Sequence, residues 1–430
     1  MIRRASEPEA CVASLANGVR LVVLAQPDLE TSSVSVFVRT GSSHESRRLN
    51  GISHFAEHMA FKGTSSRDCQ RINLDAERLG AEVNAHTDKD HTAYHMRGRA
   101  QHAGDFIRML GDIVLCSTFP EAELERERQV ILHEYAEDDD DTMSAAFKLF
   151  DKTCFGAHPI AQPVIGTQAN IKRFTRDELL AYVRAQYTGA NVVVAVAGPV
   201  DADAMHHAAT AAFGAMPHGL ENGVSAPPYL GGVASRRLVG APQAHVALGF
   251  PAPTLREDYF ASVVAATLFG EGMSSPLMDQ IRERRGLVYY AACSADVLDV
   301  FGQFVIEAST SPEQLDEYLV QVLRLLAQHA HDIPPVDMER ARNQLAVRSL
   351  RSREQPVRQL EEAVLDLFAL GRVRSRTEIL ERIEAVSAEQ VRAEFARLLG
   401  LPASVAIAGK VGKGLNERVG ELLARREVDS

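Results

Sequence analysis

The pattern of apolar and polar positions differs from segment to segment, and each pattern predicts a strand or a helix. The run at 192–198 is continuously apolar and predicts a buried strand, whereas 33–38 alternates apolar with polar residues and predicts a half-buried one. Asn17-Gly18 lies between two short apolar runs and predicts a β-hairpin, so the chain opens with antiparallel strands. Apolar positions with helical spacing predict helices at about 50–62, 66–80, 100–116, 121–148 and 175–187.

Several of these features recur in the same order in the second half of the chain. In both halves a residue pair ending in proline precedes a charged helical segment, and the second occurrence follows about 214 residues later. The apolar strand and the alternating strand also have later counterparts. The matched pairs are 119–129 with 333–343, 192–198 with 405–409, and 33–38 with 244–250.

The repetition predicts two copies of one α+β unit, each a mainly antiparallel sheet flanked by helices. Residues 217–232 are rich in proline and glycine and have neither helical nor strand periodicity, which is typical of a linker. We therefore expect a first domain at 1–216 and a second at 233–430.

Composition narrows the class of protein. The 430 residues carry 46 basic and 57 acidic side chains, and this net charge of −11 argues against a nucleic-acid partner. Five scattered cysteines without a C-x-x-C pair indicate free thiols in a reducing compartment. No apolar run approaches the length of a membrane span and no signal peptide is evident, so we expect a cytoplasmic protein without a membrane partner.

The segment from His54 to His58 carries the most informative chemistry. On a helix, these two histidines are one turn apart on the same face and can reach a single metal ion, with Glu57 beside them. This geometry is typical of zinc hydrolases. The alternative is a partly solvated histidine pair next to a glutamate, which the motif alone leaves open.

A catalytic zinc needs a third protein ligand, and Glu134 is the candidate. Glu127 lies two helical turns before it on the same face, which favours Glu127 as the carboxylate that fixes the tautomer of a ligand imidazole. The alternative is that both glutamates simply face solvent on a charged helix.

Together, His54-x-x-Glu57-His58 and Glu134 resemble the inverted zinc motif of the pitrilysin-type metallopeptidases. The bacterial relatives of mitochondrial processing peptidase are the most similar branch. The resemblance extends over nearly the whole chain, including the two-copy layout. It implies one zinc ion per chain, bound by His54, His58 and Glu134, with Glu57 as the general base.

Two further segments resemble functional elements of that family. The segment around Asn84 and Ala85 resembles the edge strand on which members bind an extended peptide, although both could be ordinary strand residues. Arg282 and Tyr289 resemble the family's arginine–tyrosine element, which implies contact with substrate and with the oxyanion. Opposite Glu134, the second copy has Arg348, so only the first copy is expected to bind zinc.

The resemblance also implies a partner, because the family encloses its substrate in a chamber of four such units. A chain with two units then forms a homodimer or pairs with a related subunit. This chain carries both the zinc set and the arginine–tyrosine pair, which favours a homodimer. The acidic run at 137–141 could select basic side chains of a substrate, or could be solvated charge.

The sequence thus predicts a zinc-dependent endopeptidase that hydrolyses short or unfolded peptides bound as an added strand in a closed chamber. One alternative is the catalytically competent subunit of a heterodimeric processing peptidase. The other is a non-catalytic assembly subunit of the same fold.

Overall fold

The computed structural model describes residues 10–352 and 354–426, so the outermost ends of both predicted domains lie outside the described residues. Its strands are β1 (Ala10–Ser14), β2 (Arg20–Ala25), β3 (Thr31–Val38), β4 (Glu82–Thr87), β5 (Thr92–Arg99), β6 (Val192–Gly198), β7 (Gly232–Arg237), β8 (Ala244–Ala252), β9 (Tyr290–Val297), β10 (Gly302–Thr310) and β11 (Ser404–Gly409).

The helices, in chain order, are α1 (Ile52–Ala60), α2 (Cys69–Arg78), α3 (Ala103–Cys116), α4 (Glu121–Asp140), α5 (Thr142–Phe155), α6 (Gln168–Arg173), α7 (Arg176–Gln186), α8 (Ala202–Phe213), α9 (Phe260–Gly270), α10 (Leu315–His331), α11 (Pro335–Ser352), α12 (Pro356–Leu370), α13 (Arg376–Ala385), α14 (Ala388–Leu399) and α15 (Leu415–Arg426). A π-helical segment, Met278–Glu283, precedes β9.

The strands form two sheets with matching topology. The first has the order β1-β2-β6-β3-β5-β4, and the second has the order β7-β11-β8-β10-β9. In each sheet one neighbouring pair is parallel, β2 with β6 and β7 with β11, and the other pairs are antiparallel. The predicted fold class, an α+β chain of two similar units, is confirmed. Among the described residues, β4 lies at the edge of the first sheet.

Each sheet belongs to a compact unit that is discontinuous in sequence. The first unit comprises 1–135, 162–224 and 352–375, and the second comprises the remainder. The contiguous division predicted from the sequence differs from this arrangement, because α12 belongs to the first unit and α5 to the second. The predicted linker, 217–232, contains no helix or strand before β7 begins at Gly232.

Apolar burial explains where α12 lies. Leu360, Val364 and Leu367 are buried against one face of the first sheet, next to Val22 and Phe37. The opposite face of the same sheet is covered by α3 and α8. Because both faces are covered, the central strand β6 is apolar and buried along its whole length.

The predicted helix at 121–148 is two helices instead of one. Asp141 interrupts it with an extended backbone, and its side chain accepts a hydrogen bond from the Ser144 amide, so Asp141 caps α5. The acidic run also makes contacts inside the second unit: Asp138 pairs with Lys148, and Asp139 accepts two hydrogen bonds from Arg236 at 2.8 and 2.6 Å. These contacts account for three of the five acidic residues at 137–141 without a substrate.

Within the described ranges, no helix combines the length and the apolar character that crossing a membrane requires.

Candidate active site

Helix α1 is held by a carboxylate that precedes it. Gly51 stands at its N-cap with a φ of +96°, a conformation that favours glycine. The buried Glu45 side chain accepts hydrogen bonds from the amides of Gly51 and Ser53, both at 2.8 Å. It therefore satisfies donors that the glycine cap leaves open, and its burial raises the pKa of this carboxyl group.

The apolar face of α1 fixes the direction of its polar face. Ile52, Phe55 and Met59 are fully buried in a cluster with residues of α4 and α7. Because His54 and His58 are four residues apart, they share a face that is rotated away from this cluster. Their ring centroids are 4.6 Å apart.

The structure brings these histidines together with the predicted third ligand on α4. Oε2 of Glu134 lies 3.9 Å from Nε2 of His54 and 3.6 Å from Nε2 of His58. All three donor atoms fall within 4.8 Å of one another, and they form one of two such groups among the described residues.

These residues fit a zinc ion. The separations of 3.6 and 3.9 Å are too long for hydrogen bonds. Ligand atoms about 2.0–2.2 Å from one tetrahedral ion are separated by about 3.3–3.6 Å, which is close to the observed values. The buried Nδ1 of His54 has no hydrogen-bond partner within the described part of the chain. Burial, with a further contribution from His58, lowers the pKa of His54 to about 3, so its imidazole is neutral.

Glu127 lies behind this cluster, at the place predicted for it. Its Oε2 accepts a hydrogen bond from Nδ1 of His58 at 3.1 Å, and its Oε1 pairs with Lys62 at 2.7 Å. Burial alone raises the pKa of Glu127, but the hydrogen bonds from His58 and Lys62 outweigh burial and lower it. An ionised carboxylate there fixes the proton on Nδ1 of His58 and leaves Nε2 directed at the cluster.

Glu57 stands beside the three donor atoms and is not one of them. Its Oε2 accepts a hydrogen bond from the Thr87 hydroxyl at 3.1 Å. Burial raises the pKa of Glu57, and the neighbouring His58 opposes that rise. A carboxylate with a raised pKa accepts and returns a proton more readily near neutral pH, as a general base requires.

The predicted substrate strand is β4, at the edge of the first sheet. Ala85 packs on the face that carries Thr87, whereas strand alternation directs Asn84 to the other face. The side-chain oxygen of Asn84 accepts a hydrogen bond from the Ala85 amide at 2.9 Å. Both residues therefore lie on the edge strand of the sheet. Only Ala85 is on the face next to the cluster of His54, His58 and Glu134, which is called the zinc cluster below.

Arg282 and Tyr289 belong to the second unit, on the π-helical segment and just before β9. Arg282 contacts Glu283 at 3.4 Å and the sulfur of Met273 at 3.7 Å. Tyr289 is 66% exposed, and its amide donates to the Ser309 carbonyl. Their roles toward a substrate stay predictions.

Three residues that support the cluster were not predicted from the sequence: Glu45, Lys62 and Thr87. Lys62 lies four residues after His58 and could have been found from helical spacing. Thr87 could have been found from strand alternation, since it follows Ala85 by two residues. Glu45 lies in an irregular segment, and its sequence offers no comparable signal.

With this geometry established, comparisons with known proteins become informative. A model described as insulinase (peptidase family M16) matches residues 20–168, which contain the whole zinc cluster. A model described as the peptidase M16 inactive domain matches residues 173–345. The second match begins in the first unit and ends at residue 345, just before Arg348, which lies opposite Glu134 in the second copy.

Relatives with similar sequences align with most of the length of this chain. The uncharacterized zinc protease YmxG of Bacillus subtilis is 30% identical over 87% of this chain and 92% of its own. The uncharacterized zinc protease Rv2782c of Mycobacterium tuberculosis is 31% identical over 95% and 96% of the two chains. A peptidase M16 inactive domain structure from Pseudomonas fluorescens superposes with a TM-score of 0.85 at 22% identity, covering 93% of this chain and 98% of that one. The chain belongs to peptidase family M16, the pitrilysin-type zinc proteases.

Proposed function

We propose that this protein is a zinc-dependent endopeptidase that hydrolyses short or unfolded peptides bound as an added strand. The observation that carries the proposal is the convergence of the His54 and His58 imidazoles with the Glu134 carboxylate. The half-buried Glu57 lies next to them and is outside the ligand set. His54, His58 and Glu134 would hold one zinc ion per chain.

Zinc bound there supplies Lewis acidity, which lowers the pKa of a water molecule and polarises a peptide carbonyl. Glu57 takes the proton from the attacking water and then returns it to the leaving amine. Thr87 holds one oxygen of Glu57 through its hydroxyl and leaves the other oxygen for this proton. Glu127 keeps His58 in the ligand tautomer throughout.

The substrate proposal depends on β4. An edge strand offers unpaired backbone groups to an extended peptide, and this binding mode requires a chain that is short or unfolded. A peptide that adds to this edge displaces the contact between Asn84 and the Ala85 amide. In the proposal, Arg282 positions the peptide backbone and Tyr289 donates to the developing oxyanion.

We further propose that the chain acts as a homodimer in a reducing, cytoplasmic compartment. All five cysteines lie in the described part of the chain, and all are free thiols. The homodimer follows from the presence of both the zinc set and the arginine–tyrosine pair in one chain. Gel filtration that gives twice the chain mass supports it, and a monomer that cleaves peptides at full rate contradicts it.

The decisive experiment separates zinc binding from catalysis. Glu57→Gln preserves size and leaves the three ligands intact, so it should retain as much zinc as the wild type and lose at least ~10²-fold in turnover of a peptide library. Glu77→Gln, an exposed glutamate on α2, is the matched control and should keep full activity. Full turnover by zinc-loaded Glu57→Gln would refute the proposed mechanism, and a zinc-loaded wild type without activity would favour the assembly subunit.

A further inference from the structure

A second group of imidazoles and a carboxylate lies on the opposite face of the first sheet. Thr87 directs its side chain toward Glu57, and strand alternation turns the preceding His86 the other way. On that face His86 meets His91, which lies just before β5, and Glu361 of α12. All three residues belong to the first unit.

The donor atoms of this second group are spaced as ligands of one small ion. Nε2 of His86 and Nε2 of His91 are 3.2 Å apart. Oε1 of Glu361 lies 3.6 Å from Nε2 of His91 and 3.8 Å from Nε2 of His86. Ligands at about 2.0–2.2 Å from a tetrahedral ion are separated by about 3.3–3.6 Å, so these three separations lie within about 0.2 Å of a ligand set.

Further side chains orient both imidazoles. The half-buried Asp90 carboxylate lies 2.7 Å from Nδ1 of His91, and only an N–H can make that contact, so Nδ1 of His91 donates. Nδ1 of His86 lies 3.1 Å from Nε2 of His95, whose own Nδ1 is 2.7 Å from the Ser35 hydroxyl. These contacts use the outer nitrogen of each ring and direct Nε2 of His86 and His91 inward, as around bound metal ions.

We propose that His86, His91 and Glu361 form a second metal site, which binds a divalent transition ion such as Zn²⁺. Two imidazole nitrogens and one carboxylate oxygen suit a first-row transition ion better than Mg²⁺ or Ca²⁺, which prefer oxygen ligands. The His86 and Glu361 side chains are 39% and 32% exposed, so an ion can enter and a water can complete the coordination. This site is separate from the proposed peptidase chemistry.

The site gives the ion a structural role. Glu361 is on α12, whereas His86 and His91 flank the turn between β4 and β5. α12 is far from β4 in the sequence. An ion bound by all three residues would link α12 to the edge of the sheet. Part of its binding free energy then stabilises the folded first unit, because the three ligands do not converge in the unfolded chain.

The same side chains can also associate without an ion. Burial lowers the pKa of His91, but its hydrogen bond with Asp90 and the nearby Glu361 carboxylate outweigh burial and raise it to about 10. The competing arrangement is therefore an imidazolium of His91 that donates from Nδ1 to Asp90 and from Nε2 to Nε2 of His86, with Glu361 3.6 Å away. The two arrangements differ in metal content, which is the quantity to measure.

The test measures the number of zinc equivalents per full chain. The protein is equilibrated with Zn²⁺ and dialysed, and its zinc content is then determined by elemental mass spectrometry. Wild type should retain two equivalents, and the double variant His54→Ala/His58→Ala should retain one. His86→Gln and Glu361→Gln should each retain one in the wild-type background and none in that double variant. His207→Gln, an exposed histidine on α8, is the matched control and should retain two.

A second readout does not depend on the folding of the His86→Gln and Glu361→Gln variants. The His54→Ala/His58→Ala chain loaded with Co²⁺ should show visible d–d absorption of one nitrogen- and oxygen-ligated ion per chain. Its thermal midpoint should rise on adding Zn²⁺. One zinc in wild type, none in His54→Ala/His58→Ala, and no Co²⁺ absorption would overturn the proposal and leave the ion pair. One zinc that is lost only with His86→Gln would instead support this site and refute the zinc assignment of the peptidase.

Discussion

Glu127 offers the sharpest test of how the site is organised, because it contacts a ligand without being one. Its carboxylate accepts from Nδ1 of His58 and pairs with Lys62, and its side chain is only 10% exposed. Glu127→Gln keeps an oxygen that can accept from His58 but removes the charge. Glu127→Ala removes both. Lys62 is partly exposed and can turn to solvent in either variant.

The expected loss follows from these contacts. Carboxylates that orient a ligand imidazole contribute about 10- to 100-fold to metal affinity, and that range equals about 1.4–2.7 kcal/mol. Since the amide of Gln can still fix the tautomer, we expect Glu127→Gln to lose about tenfold in zinc affinity. Glu127→Ala should approach a 100-fold loss, because nothing then holds the proton on Nδ1 of His58.

The assay is an equilibrium competition for zinc against a chromophoric chelator, at fixed pH and salt. Glu125→Gln is the matched control: it lies on the same helix, is 61% exposed and pairs with Arg128, and it should bind zinc as wild type does. If the second metal site is occupied, the measurement is made in the Glu361→Gln background. Wild-type zinc affinity in Glu127→Ala would refute the role assigned to this carboxylate.

Three further predictions concern the ligand, the fold and the second half of the chain. Glu134→Ala should retain one equivalent of zinc fewer than the wild type after dialysis, and full retention in a metal assay would make Glu127 the third ligand instead. Leu360→Ala should lower the free energy of unfolding by about 2–5 kcal/mol in denaturant titration, because Leu360 is fully buried against the first sheet; an unchanged midpoint would show that α12 does not pack there. Tyr289→Phe should keep its zinc and lose on the order of 10²-fold in kcat. Mixed with Glu57→Gln it should regain activity if the two residues act across a dimer, and failure despite proven subunit exchange would contradict that arrangement.

Local patterns were enough to predict much of this molecule. The i, i+4 spacing of His54 and His58 and the seven-residue spacing of Glu127 and Glu134 required only a helix to give each pair a common face. The repeated strands predicted two similar α+β units. The positions that depend on the period of one helix or one strand were thus accessible from the sequence.

Other features depended on contacts between distant segments. No local signal indicated that α12 would cover the first sheet or that α5 would belong to the second unit, because an amphipathic helix specifies an apolar face and not the sheet that covers it. No glycine or proline marks the break at Asp141, and its cap depends on one side-chain contact, so the helical pattern continues across it in the sequence.

The two histidine clusters differ in the same way: one follows from local sequence spacing, and the other depends on contacts between distant segments. His54, Glu57 and His58 share one helix, so their sequence alone predicted a common site. His86 and His91 share a turn, but Glu361 reaches them only because apolar burial seats α12 on that face of the sheet. The sequence by itself determined which residues each helix and strand presents, and tertiary packing decided which of those faces meet.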